Sequence, residues 1–209
     1  MKAALVFAAA PIEPTPRLRA TLSALRAPIV IAADAGAKTA LAFGFTPDVV
    51  LGDFDSLDPS SLGLPIETFP RDKDQTDGQL AIERALRENP TELVLVGFLG
   101  GPRLDMSLAN ILLLSGLDVP TVVLDAHNEC RLFRGPAEHT WTPEPTEIIS
   151  LIPLTKVVDG VTTNGLRWSL RDETLLRSET RGVSNEPSAE TARVRIECGS
   201  LLLTRHFPL

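Results

Sequence analysis

Reactive side chains are scarce in this 209-residue chain: two cysteines, three histidines, two methionines, two tryptophans and no tyrosine. Cys130 and Cys198 stand far apart without a CxxC partner. That argues against a disulfide framework or a zinc site and fits a reducing cytoplasm. His127, His139 and His206 fall outside every motif and are expected on the surface or in loops. No serine–histidine–acid or cysteine–histidine arrangement supplies a nucleophile. Neither a P-loop signature nor a GxGxxG turn occurs, so no glycine cradle is available for a nucleotide. Basic residues are also short in supply. A net charge of −7 argues against a broad nucleic-acid or anionic-membrane surface. No apolar run reaches membrane length. The stretch Met1–Ala10 superficially resembles a secretory leader, but it is short and Pro11 follows at once, so a first buried strand is expected there.

What the chain does have is alternation. Apolar strand-like runs at residues 28–33, 49–51, 65–69, 92–98 and 119–124 alternate with helix-like periodicity at 17–25, 38–43, 76–88 and from 104 onward. In the last of these helices the apolar positions are Leu104, Leu108, Ile111 and Leu112. Thr76 and Gln79 form a capping-box pattern at the start of the third. Such alternation predicts a parallel sheet with helices on its faces. A further strand is expected at Cys130–Phe133. Past Gly135-Pro136 helix periodicity fades and short β-type runs take over, at 148–154, 156–158, 193–196 and 201–204. The expected architecture is α/β: a Rossmann-like parallel-sheet domain over residues 1–134 and a smaller all-β sandwich over 135–209. Trp141–Pro145 reads as a linker or an edge.

Acidic residues recur at the ends of successive strand-like runs: Asp34, then Asp53 and Asp55, then Asp74 and Asp77, then Asp105. In a parallel sheet those ends lie on one edge, so the carboxylates converge. Asp53 and Asp55, in Gly52-Asp53-Phe54-Asp55-Ser56, sit at i and i+2 on a loop that Gly52 lets approach closely. Paired carboxylates suit a hard cation and the phosphates it carries. Lys73-Asp74-Gln75-Thr76-Asp77 crowds the positive end of a helix, a natural anion site. In Gly100-Gly101-Pro102-Arg103-Leu104-Asp105, Arg103 can fork onto phosphate oxygens, while Asp105 can cap the helix or face a metal.

These four motifs with Asp34-Ala35-Gly36-Ala37 at their head resemble those of the thiamine pyrophosphokinase family, in the family's order. Thr162-Thr163-Asn164-Gly165-Leu166-Arg167-Trp168 and Ser184-Asn185-Glu186 are similar to its second domain. The resemblance implies that ATP gives its terminal diphosphate to the hydroxyethyl group of thiamine, leaving AMP. It implies that Asp53, Asp55, Asp77 and Asp105 surround Mg2+ and the triphosphate, with Asp34, Asp74 and Arg103 in the same nucleotide site. Trp168, Ser184 and Asn185 are implied to hold thiamine, in a cytoplasmic homodimer. Three departures stand out: Ala35 where a second glycine is usual, Pro102 as an extra residue, and Met106 in place of a histidine. The competing expectations are a diphosphokinase for a pterin alcohol and a non-catalytic nucleotide or thiamine sensor.

Overall fold

The computed structural model describes residues 2–26, 28–54 and 63–208. Asp55 and Ser56 lie outside the described residues. The chain divides into two compact units, Met1–Leu113 with Leu117–Ala126, and Leu114–Gly116 with His127–Leu209.

The first unit runs β1 (Ala3–Phe7), α1 (Pro16–Ser23), β2 (Ile29–Ala33), α2 (Gly36–Ala42), β3 (Val49–Gly52), β4 (Ile66–Thr68), α3 (Asp77–Leu86), β5 (Glu92–Val96), α4 (Leu104–Leu114) and β6 (Thr121–Leu124). Its strands lie in the order β4-β3-β2-β1-β5-β6, and every pairing is parallel. Residues two apart point to the same face of a strand. Thus Leu5 and Phe7, Val30 and Ala32, and Val94 and Val96 share one core with Leu18 and Leu22 of α1 and Ala37 and Ala40 of α2. Burying a leucine such as Leu22 contributes roughly 1.5–3 kcal/mol. Thr15 starts α1 by accepting the Leu18 N–H, with Pro16 preset at the first helical position.

Thr76 caps α3 as expected, its hydroxyl accepting the Gln79 N–H at 3.2 Å. The reciprocal half of the capping box is replaced, because the Gln79 side-chain amide donates to Glu83 instead. In α4, Leu104, Leu108 and Leu112 are 70%, 53% and 60% exposed, while Leu114 is buried. The periodicity identified a real apolar stripe, but the single chain does not cover it. The helix is held by Asn110, whose amide donates to the Phe98 carbonyl at 2.7 Å. Among the described residues, no helix is long and apolar enough to cross a membrane.

The second unit contains β7 (Asn128–Arg134), β8 (Ala137–Trp141), β9 (Ile148–Pro153), β10 (Val157–Asn164), β11 (Glu173–Leu176), β12 (Ala192–Ile196) and β13 (Ser200–His206). Two antiparallel sheets, β7-β13-β9 and β11-β10-β12-β8, contribute to one apolar core that includes Ile149, Leu151, Val158, Val161, Val194 and Leu201. This is a sandwich. The strand expected at 130–133 is β7, and it pairs antiparallel with β13 over seven residues. It falls within this unit, and its pairing is antiparallel; a short apolar run carries no direction in its sequence. Trp141 closes β8 and is buried, its indole N–H donating to Glu147 at 2.8 Å. Ala137–His139 carry too little apolar character to announce a strand, yet they pair with β12.

Candidate active site

The loops leaving β1, β2 and β5, with the start of α3, line a cleft of about 420 Å3 in the first unit. Asp34, Thr76, Asp77, Phe98, Arg103 and Met106 are among its lining residues. Carboxyl ends of parallel strands collect ligands because loops and helix N-termini converge there.

Asp34 anchors the site. Its backbone N–H donates to Leu51 on β3 at 2.8 Å, and it adopts a left-handed conformation, φ 44°, which aspartate tolerates better than most residues. The positive φ sits on Asp34 and not on Ala35, whose φ is −61°. Ala35 therefore sits without backbone strain. Gly52 is required by contact: a Cβ there would lie 1.7 Å from Asp34 Oδ1. The β3 backbone thus forms the wall against which the Asp34 carboxylate rests.

Asp53 and Asp77 face a common cation. Lys73 Nζ lies 3.2 Å from Asp77 Oδ1 and 3.9 Å from Asp53 Oδ2, and donates to the Pro70 carbonyl at 3.1 Å. The Lys73–Asp77 contact is an ion pair without the alignment of a hydrogen bond. Oδ1 of Asp34 and Oδ1 of Asp77 are both buried and accept no hydrogen bond. Burial of Asp34, then the Asp77 carboxylate and a hydrogen bond to it, then Asp53, push the Asp34 pKa up to about 6, against a smaller opposing bond from the Phe54 N–H.

Asp34 Oδ1, which accepts no hydrogen bond, and Asp77 Oδ1, which faces the Lys73 ammonium, are buried hard donors, which fits a divalent metal ion. The fit is partial, since among the described residues no three His, Cys, Asp or Glu side chains form a ready cage. Of the expected ligands, Asp53 and Asp77 are brought together and Asp55 lies outside the described residues. Asp105 is instead held by Arg103, Nε to Oδ1 at 2.8 Å and Nη2 to Oδ2 at 2.5 Å. That fork holds the Asp105 pKa down to about 2. Arg103 borders the cleft, whereas Asp105 is not among its lining residues. Asp74 is exposed on the loop before α3. Met106 lines the cleft. Sequence reasoning gave Lys73 no role; its spacing of four from Asp77 was the available signal.

In the second unit Trp168 is 53% exposed. The Arg167 guanidinium lies 4.7 Å from its ring centroid and pairs with Glu186 at 2.8 Å. Asn185 is buried beneath it. Its Oδ1 accepts the N–H groups of Trp168 (3.1 Å) and Glu186 (2.9 Å), and its Nδ2 donates to the Trp168 carbonyl at 2.8 Å. The amide expected to meet a substrate makes these bonds to the backbone. Ser184 is exposed, with φ 62° and its N–H donating to the Ser150 hydroxyl.

Comparison with known proteins agrees with this division. Residues 22–122 match the family described as "Thiamin pyrophosphokinase, catalytic domain", and residues 138–203 match "Thiamin pyrophosphokinase, vitamin B1 binding domain". Thiamine pyrophosphokinase of Bacillus subtilis is 28% identical over 184 residues, covering 84% of this chain and 86% of that protein. A crystal structure of the Bacillus subtilis protein superimposes with a TM-score of 0.86 at 26% identity, covering both chains fully. One from Geobacillus thermodenitrificans gives 0.82 at 25%, covering 100% of this chain and 98% of the other. With both halves matched in order and the acidic strand ends gathered as described, the chain belongs to the thiamine pyrophosphokinase family.

Proposed function

We propose that this protein is a thiamine diphosphokinase, transferring the terminal diphosphate of ATP to the hydroxyethyl oxygen of thiamine. The observation that carries the reading is the gathering of Asp34, Asp53, Asp77 and Lys73 at one edge of the parallel sheet, in a chain whose second unit matches a vitamin B1 binding domain. The thiamine oxygen attacks the β-phosphorus, the bond from that phosphorus to the α–β bridging oxygen breaks, and AMP leaves. The hydroxyl proton departs late in a loose transition state, so no strong base is demanded. Met106 in the usual histidine position is compatible with that chemistry.

Asp53 and Asp77, with Asp34 behind them and with Asp55 from the same motif, would hold Mg2+. Bound there, the ion would neutralise phosphate charge and orient the triphosphate. Arg103 would fork onto phosphate oxygens once released from Asp105, and Asp105 would then be free to reach the ion; Asp74 would lie at the entrance. Trp168 is the aromatic platform for the thiamine rings, one of which is cationic. Ser184, one residue before Asn185, would add a hydroxyl, and Asn185 fixes the platform through the Trp168 backbone. The exposed Leu104–Leu108–Leu112 stripe supports a homodimer, and Cys130 and Cys198, which form no disulfide, support a cytoplasmic site of action.

Incubating the protein with ATP, Mg2+ and thiamine and identifying the nucleotide product tests this directly. AMP with thiamine diphosphate is expected. ADP would indicate ordinary kinase chemistry, and no nucleotide product would indicate a sensor. AMP formed only with a pterin alcohol would reassign the acceptor.

A further inference from the structure

Lys73 stands at a place where a lysine is electrostatically misplaced. It precedes α3, whose N-terminus is the positive end of the helix dipole, and its side chain is only 14% exposed. Exposed ion pairs elsewhere in the chain, such as Arg103–Asp105 and Arg167–Glu186, leave both partners more than half exposed. Lys73 gives up water and helix-dipole compatibility to sit between Asp53 and Asp77. Those two carboxylates supply the attraction that holds it.

We propose that Lys73 is the resident counter-cation of this carboxylate group and sets the order of binding: a bare divalent ion is opposed by the ammonium, whereas an ion arriving on a nucleotide brings phosphates that take the ammonium over. Lys73 is thus a positioning residue that couples metal entry to nucleotide entry. It keeps Asp53 and Asp77 together in the empty site, and it turns a repulsive charge into a phosphate contact when both ligands come as one. The inference rests on the metal site proposed above.

The test is Mn2+ binding, followed by the loss of the free-ion electron paramagnetic resonance signal, with and without a non-hydrolysable ATP analogue. Wild type is expected to bind bare Mn2+ weakly and to bind it much more tightly with the analogue. Lys73→Gln should bind bare Mn2+ about tenfold more tightly than wild type, and Mn2+ with the analogue about tenfold more weakly. Lys73→Arg should follow wild type. Lys73→Met keeps the apolar stem and carries the same comparison if the glutamine variant folds poorly. Equal bare-Mn2+ affinity in wild type and both neutral variants overturns the role of Lys73. If Asp77→Asn abolishes binding in that same experiment, the metal site survives. If Asp77→Asn leaves Mn2+ binding unchanged under both conditions, the metal site fails, and the counter-cation with it.

Discussion

Asn185 holds Trp168 by both its backbone N–H and its backbone carbonyl, through a single side-chain amide. Seventeen residues separate them in the chain. The exposed indole therefore rests on a buried polar clamp, and presentation of the ring is decoupled from packing of the ring.

This yields paired expectations. Asn185→Ala strands buried backbone groups and should lower stability by roughly 2–4 kcal/mol. Trp168→Ala, at a half-exposed position, should leave the thermal transition nearly in place while raising KM for thiamine about tenfold, with KM for ATP unmoved. Thiamine quenching of tryptophan fluorescence should persist in Trp141→Phe and vanish in Trp168→Phe. Equal losses for both substrates would move Trp168 out of the acceptor site.

Asp53→Asn and Asp77→Asn should each lower kcat by about a hundredfold or more while far-UV circular dichroism stays native, because these carboxylates serve ligand charge and not packing. The same loss is expected of Asp55→Asn. Near-full kcat at saturating Mg2+ in any of the three would remove that residue from the ion's coordination.

Asp34 gives a pH signature in the metal-free protein. Its folded-state pKa, about 6, lies above the ordinary 3.8, so between those values the folded state holds a proton that the unfolded state has released. The stabilisation is fully present below pH 3.8 and is lost as pH rises through 6. Asn fits the same left-handed backbone without the charge. Asp34→Asn should therefore melt a few degrees higher than wild type at pH 7.5, and the difference should shrink as pH falls toward 4. A difference that does not change with pH would show that the Asp34 carboxyl keeps its ordinary titration.

Met106→His should change turnover only modestly, since a loose phosphoryl-transfer transition state asks little of a base. A rise on the scale of general acid–base catalysis, about a thousandfold, would show that a histidine at this position carries a proton transfer that this protein lacks.

Much of this was legible before any coordinates. Asp34, Asp53 and Asp77 are readable because strand ends in a parallel sheet share one edge, so position in sequence implies position in space. The cap at Thr76 is readable because it closes over three residues. The inward turn of Asn185 is not, since its partner lies seventeen residues away and the same dipeptide could as well meet a ligand. The pairing of Asp105 with Arg103 was not readable either, because a carboxylate two residues from a guanidinium can equally face a ligand. Periodicity in α4 found the leucine stripe but could not say what covers it. β8 was hidden because its pairing with β12 rests on backbone hydrogen bonds that polar residues make as well as apolar ones.

Strand β13 has a consequence for biosynthesis. It is bonded to β7 on one side and β9 on the other, yet it is made after both. At about 5–20 residues per second, the ~50 residues between Pro153 and Ser200 take roughly 3–10 s to emerge. For that interval β7 and β9 have finished edges and no centre, while the parallel sheet of the first unit is already complete. The nascent chain thus carries a complete first unit and a second unit whose sheet still lacks the strand between β7 and β9.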